Sequence, residues 1–307
     1  MSLGVCCQWL EPVTKRNGTV EYVNSIKEKS LQVGRYRSGA YTESLVRDTW
    51  RHNVREVIKV VPKLVEHDVR SFRLSSSLLP LHDLTGGMVR DDESLANLLG
   101  QLGAAFLAAG VRVTTHPGQF TVLSSDSKET VRASLVELDH HGWVFDKMGL
   151  PATPYAAINI HGGKRDRLDQ LVDGILSLPD SARKRLSLEN DESGYSLSDL
   201  LPAYEATGTP VCWDSHHHTF NPGGLTLDDA YGLSVHTWQR TGCRPLQHLS
   251  NTEPGASVSF TDQRKHSFYI TEVPDCQRQG VLSGGIDLDV EAKAKNLAVL
   301  ALRKNMF

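Results

Sequence analysis

Four times along this chain a short run of β-branched and apolar residues stops abruptly on a residue that binds metals or moves protons. Residues 111–115 run into His116, 156–160 into His161, 186–188 into Glu189 and 210–213 into Asp214. Runs this short, rich in Val and Ile and bounded by turn residues, read as buried strands. Pro117 and Gly118 end the first of them, because proline cannot extend a ladder and glycine permits a sharp reversal. Further strands read at 3–8, 71–74, 245–250 and 285–290. Between them lie spans with helical apolar spacing: 43–66 (interrupted by Pro62), 92–109, 128–148, 167–178, 196–207, 226–240 and 292–303. Gly110, Gly149 and Gly208 mark helix ends, and Thr226 with Asp228 and Asp229 suits a helix start. Strict alternation of strand and helix demands parallel, right-handed crossovers. The expected fold is α/β: a single (β/α)8 TIM barrel over residues 1–307, with its active site at the C-terminal ends of the strands.

With 307 residues, 39% of them hydrophobic and 22% charged, the chain fits a soluble globular protein. No apolar run is long enough for a bilayer, and residues 1–10 hold no secretion signal, so a cytoplasmic monomer without membrane or obligate protein partner is expected. The five cysteines are odd in number and form no CxxC pair, which argues against a disulfide framework and a thiolate zinc knuckle. A net charge of −3 excludes coating nucleic acid by bulk attraction but leaves room for a local basic rim. Arg35, Arg37, Lys164, Arg165, Arg264 and Lys265 are the candidates, all in segments read as polar loops.

His116, His161, Glu189, Asp214, His217, His248 and Glu291 fall at or just past strand ends, and His266 lies in the loop before the last strand. Parallel barrel strands point one way, so these side chains would converge. A lone histidine is more often a packing residue; a convergent set is not. Eight nitrogen and oxygen ligands without sulfur suit two or three divalent ions, with Mn²⁺ or Zn²⁺ fitting mixed imidazole and carboxylate ligation and Mg²⁺ a further alternative. Asp214 and His217, three residues apart, could be aimed by one tight turn.

Together, the strand ends His-Pro-Gly-Gln-Phe, Asn-Ile-His-Gly-Gly, Leu-Glu-Asn-Asp, Asp-Ser-His-His-His and Gln-His-Leu-Ser, with Val-Glu-Ala-Lys-Ala-Lys closing the chain, resemble the UV damage endonucleases. The resemblance runs from Leu3 to about Arg303. It implies a TIM barrel with a divalent metal cluster, usually manganese, that nicks damaged duplex DNA immediately 5′ to cyclobutane pyrimidine dimers and 6-4 photoproducts. The ends left are a 3′-hydroxyl and a 5′-phosphate. By position it makes His116, His161, Glu189, Asp214, His217, His248, His266 and Glu291 the metal ligands, with Glu189, His116, His248 and Glu291 catalytic. Gln119 and Phe120 match the pair that wedges into the duplex at the lesion. Two departures stand out. Many members carry a lysine where this chain has Leu246, and the tyrosine that some show at the first strand end is replaced by Gln8 and Trp9, taken as lesion-contacting substitutes.

The chemistry is consistent with that residue set. A metal ion lowers the pKa of water and offsets phosphate charge, so no protein nucleophile is required, and no Ser-His-Asp or Cys-His arrangement stands out. A photodimer stacks poorly and costs less to open than an intact step. Two other functions compete. A sugar isomerase or epimerase on the same barrel would use similar ligands but gains nothing from Gln119-Phe120 on an open turn. A barrel that only binds DNA or metal would have little reason to keep the full ligand set.

Overall fold

In the computed structural model, which describes residues 1–306, the strands are β1 (Leu3–Cys6), β2 (Leu10–Thr14), β3 (Val20–Asn24), β4 (Ser71–Leu74), β5 (Arg112–Thr115), β6 (Ile158–His161), β7 (Leu186–Glu189), β8 (Val211–Asp214), β9 (Leu246–Leu249) and β10 (Asp287–Val290). Eight of them close a parallel barrel in the order β1-β10-β9-β8-β7-β6-β5-β4, with β4 pairing back onto β1. The TIM-barrel expectation holds.

Alternate residues of these four-residue strands face opposite ways. One set, including Leu3, Val5, Phe72, Val113, Ile158, Ile160, Leu188 and Leu288, joins the main apolar cluster with helix residues such as Trp50, Leu99, Phe106 and Phe145. The other set fills the lumen, and it is largely polar. At the N-terminal end Arg112, 1% exposed, donates to Asp287 at 2.8 Å and to the carbonyls of Pro154, Tyr155 and Arg244. One step up, Asp289 accepts from Ser71 at 2.6 Å and Thr114 at 3.1 Å. Gly4 makes room for it: a Cβ there would lie 1.9 Å from an Asp289 carboxylate oxygen. Above that layer come Arg73 and the strand-end ligands.

The helices are capped as their sequences suggest. Thr42, Asp92, Ser127 and Thr226 each accept from a backbone N–H in their first turn, and Ser196 with Asp199 forms a reciprocal capping box. Gly208 ends that last helix at φ +75°. The span 43–66 divides into helices Glu43–Ile58 and Val61–Glu66, with Pro62 in the first turn of the second, where a missing N–H costs nothing.

Several segments depart from expectation. The polar stretch after β1 is a hairpin, β2 and β3, turning through Lys15–Gly18 with Gly18 at φ +82°. A helix, Asp275–Leu282, crosses between β9 and β10 where a long loop was expected. The last helix begins at Asn296 rather than at 292, because Lys295 adopts φ +53° and closes a turn first. Among the described residues no helix is long and apolar enough to cross a membrane, and all five cysteines are free thiols.

Removing the Arg112 side chain takes the donor from one Asp287 carboxylate oxygen and from three carbonyls at the barrel floor, with Arg244 still holding the other oxygen at 2.9 Å. Arg112→Leu should lower the unfolding free energy by about 3–5 kcal/mol in urea melts. Arg240→Ala, which breaks an exposed pair with Glu205, should change it by less than about 1 kcal/mol. Glu28, in the loop after β3, has a buried carboxylate oxygen with no partner among the described residues. Burial pushes its carboxyl up to about 7, against a lowering contribution from the Ser75 hydroxyl. Its folded pKa is raised, so its contribution is fully present below the unfolded value and is lost as pH rises through 7. Glu28→Gln should therefore melt a few degrees higher than wild type near pH 8, with the gap closing below about pH 4.5.

Candidate metal centre

The site forms where β5 to β10 end together. Asp214 finishes β8 and caps the short helix Ser215–Phe220, one carboxylate oxygen accepting from the N–H of His216 at 2.7 Å and His217 at 3.0 Å. The other oxygen is buried without a partner among the described residues. One turn thus aims Asp214 and His217 at the same place, as their spacing suggests. Asn190 locks the turn, exchanging hydrogen bonds with the Asp214 backbone at 2.8 and 3.0 Å.

Glu189 is the shared centre. One of its oxygens lies 3.1 Å from His116 Nε2 and accepts from the Asn159 amide. The other lies 3.0 Å from His248 Nδ1 and 3.5 Å from His217 Nδ1. Two groups of ligand atoms, each within 4.8 Å of one another, meet on it: His116, His161 and Glu189; and Glu189, Asp214, His248 and Glu291. His217 and His266 stand beside these groups, His266 Nδ1 being 3.6 Å from Glu291. All eight expected ligands are therefore brought to one end of the barrel, six of them into compact sets.

The donor set fits divalent ions. His116 Nδ1 faces the Pro117 carbonyl at 3.0 Å and His217 Nδ1 faces that of Asn190 at 2.9 Å. With a proton on Nδ1 alone, each ring would donate there and turn an Nε2 lone pair toward an ion, an arrangement typical of metal-binding histidines. His248 Nδ1 sits 3.0 and 3.1 Å from the Glu189 and Glu291 carboxylates, yet makes no hydrogen bond of acceptable geometry to either. Because Arg73 donates to Nε2 at 2.7 Å, a neutral ring carries its proton on Nδ1, between two carboxylates where a cation could take that proton's place.

Charge is concentrated accordingly. Burial works to raise the Glu189 carboxyl, but His248, His161 and the His116 hydrogen bond outweigh it and hold it well below the usual range. Glu291 is depressed as well: burial opposes, and Arg73 and His248 dominate. Burial would lower His217, but Asp214, Glu189 and Glu192 lift it to about 9. His161 goes the other way, because burial there is the largest influence.

Four residues of the centre were missed in sequence. Arg73, on β4, places one guanidinium nitrogen 2.6 Å from Glu291 and another 2.7 Å from His248 Nε2. Asn159 orients Glu189 and is itself held by Ser187 at 2.7 Å. Asp191 approaches His161 at 3.5 Å and Glu192 approaches His217 at 3.7 Å. The period of two, counted back from His161, points inward to Asn159; the strand of Arg73 carries no ligand from which to count. Leu246, at the position of the family lysine, is fully buried with Ala157, Cys212 and Trp238.

Around the centre, Phe120 is 83% exposed on the turn after His116, with Gln119 exposed beside it. Gln8, Arg35, Arg37 and Arg165 are exposed. Lys164 pairs with Asp126, Arg264 with Glu192 at 2.7 Å and Lys265 with Asp262 at 2.7 Å. Trp9 departs from expectation. It is 2% exposed and packs against His67 at 5.4 Å, because the hairpin turns its ring into the core, so it has no surface to offer DNA.

A family model described as UV-endonuclease UvdE matches residues 17–307. The UV DNA damage endonuclease of Deinococcus radiodurans is 37% identical over 293 residues, covering 91% of this chain and 90% of that protein. That of Nostoc sp. is 35% identical, covering 86% and 80%. The crystal structure of SacUVDE superposes with a TM-score of 0.81 at 27% identity, covering 99% and 98%. An L-ribulose 3-epimerase shares the fold alone, at 14% identity and a TM-score of 0.51 over 100% of this chain and 89% of that one. Sequence and structure agree over nearly the whole length, and the chain belongs to the UvdE family of UV endonucleases.

Proposed function

We propose that this chain is a metal-dependent endonuclease that nicks duplex DNA immediately 5′ to UV photoproducts, cyclobutane dimers and 6-4 products, leaving a 3′-hydroxyl and a 5′-phosphate. The observation that carries the reading is the pair of ligand groups sharing Glu189 at the mouth of the barrel, with an exposed aromatic ring on the turn that begins at His116. Family membership supports the same reading, with manganese as the expected ion. A bound divalent ion would supply Lewis acidity at the phosphodiester and make water nucleophilic near neutral pH. His116, His161 and Glu189 would hold one ion, and Glu189, Asp214, His248 and Glu291 a second; His217 and His266 flank them.

The chain's own residues do the rest. Asn159 and Ser187 keep Glu189 from rotating between the two groups. Gln119 and Phe120 enter the duplex where stacking is already weakened by damage. Arg35, Arg37, Lys164, Arg165, Arg264 and Lys265 contact phosphates. The pairs formed by Lys164, Arg264 and Lys265 are exposed on at least one side, and such pairs are weak enough to exchange for phosphate. The barrel as a whole is the functional unit. An epimerase needs no ring held out on an open rim, so the Phe120 exposure favours the nuclease.

Irradiated and unirradiated supercoiled plasmid, each with Mn²⁺ or chelator, provide the test. Nicking should require both damage and metal, and Glu189→Gln should abolish it while retaining lesion binding in gel shift. Equal nicking of both plasmids, or near-normal turnover by the Gln variant, would count against the reading. A second outcome concerns discrimination. Stacking of an aromatic ring on a base is worth roughly 1–3 kcal/mol, comparable to opening a damaged step and too little to open an intact one. Phe120→Ala should lower binding and nicking of dimer-containing duplex by roughly ten- to a hundredfold, with metal content unchanged. A substrate pre-opened by mismatches opposite the lesion should recover part of that loss; equal losses on both substrates would leave Phe120 a packing role only.

A further inference from the structure

Arg73 introduces a cation into the place where a cation is expected to bind. It is buried on β4, at 7% exposure, beneath the strand-end carboxylates. Its guanidinium reaches two members of the second ligand group at once, Glu291 at 2.6 Å and His248 Nε2 at 2.7 Å, while its Nε faces Asp289 at 4.0 Å. No other arginine or lysine forms an ion pair with a member of either ligand group among the described residues. The first group, His116, His161 and Glu189, has no such neighbour.

We infer that Arg73 is a resident cation of the metal centre, a positioning residue that sets the two ion sites apart in affinity. Without ions it neutralises Glu291 and fixes the His248 ring, so the buried carboxylates do not repel one another open. With ions it is a like charge in contact with Glu291 and His248, which only the second group contains, and in a low-dielectric lumen that repulsion is poorly screened. The ion on His116, His161 and Glu189 therefore binds first and tighter; the ion on Glu189, Asp214, His248 and Glu291 binds second and exchanges more readily. Arginine suits the task because its planar fork spans both partners and does not lose its charge on burial.

This inference rests on the metal-centre reading, and the test separates the two. Chelator-stripped protein is titrated with Mn²⁺ by calorimetry and melted with and without the ion. Wild type should take up Mn²⁺ in two resolved steps. Arg73→Gln should tighten only the weaker step, by roughly ten- to a hundredfold. Its metal-free form should melt about 10 °C lower, and Mn²⁺ should restore more of that loss than it adds to wild type. Arg73→Lys keeps the charge and should retain the two-step isotherm. Both steps shifting together, an unchanged isotherm, or an equal fall in melting temperature with and without Mn²⁺ would reduce Arg73 to a packing residue. A Gln variant that folds only with Mn²⁺ supports the inference. If it folds under neither condition, the Lys variant decides, and a tightened second step there overturns it. Wild type that takes up no Mn²⁺ removes the metal reading, and this inference with it; uptake that ignores Arg73 removes the inference alone.

Discussion

Glu189 is a carboxylate almost wholly removed from water, and it stays ionised only because the ends of neighbouring strands aim positive and hydrogen-bonding groups at it. An uncompensated charge in that position would be untenable. Three histidines approach its two oxygens within 3.5 Å, and Asn159 donates to one of them. Each of those groups comes from a different segment, so the arrangement exists only when the barrel is closed and in register. The pairing of β6 with β7 places His161 opposite Glu189, and that of β8 with β9 places Asp214 opposite His248. Register and ligand geometry are therefore one property: a slip of one residue in a strand would turn the ligand that strand carries outward.

The same demand shapes the lumen below. Where many barrels fill this space with branched aliphatic side chains, this one stacks Arg112 with Asp287, then Asp289 with Ser71 and Thr114, then Arg73 with Glu291 and His248. Charges alternate along the axis, so each buried ion has an opposite or a donor within reach. Apolar driving force comes from the other face of the strands, where the aliphatic residues meet the helices. The small apolar group of Ala157, Cys212, Leu246 and Trp238 occupies one side of the lumen. Leu246 thus presents an aliphatic surface on β9 two residues before His248, and the buried cation that touches His248 comes from β4.

What the sequence made legible follows from the physics of each segment. Barrel strands announced themselves because a β-branched or aliphatic run ending in His, Glu or Asp suits neither an amphipathic helix nor a solvated loop. The ligands came with them, since parallel strands deliver their ends to one face. The hairpin of β2 and β3 stayed hidden: its residues are mostly exposed on both faces, so no alternation marks them. Trp9 was misplaced for the same reason, because only the hairpin's path turns its ring inward. The helix Asp275–Leu282 buries just Gln277, Gly280 and Val281, too few apolar residues to leave a stripe. Asn159 shares a strand face with His161, two residues on, but Arg73 lies on a strand with no ligand to set its phase. An arginine in Ser71-Phe-Arg-Leu74 reads as an edge or surface residue until the closed lumen shows where it must point.

On the proposed reading, recognition and chemistry are tied by a few residues of backbone. His116 leaves β5, its Nδ1 held by the very next carbonyl, that of Pro117, and Thr121 N–H closes the turn on the Gly118 carbonyl at 2.9 Å. Pro117 restricts the chain at the start of that turn. Phe120 is thus carried on a short, hydrogen-bonded loop whose other end is a member of the first ligand group. A ring on a long mobile loop would lose much of its stacking energy in being ordered on DNA. Here most of that ordering is already done by folding, so a stacking gain of only a few kcal/mol can be spent on telling a weakened step from an intact one. The distance from Phe120 to the candidate metal centre is then fixed by covalent geometry, which is what the proposed cut at a constant offset from a lesion would require.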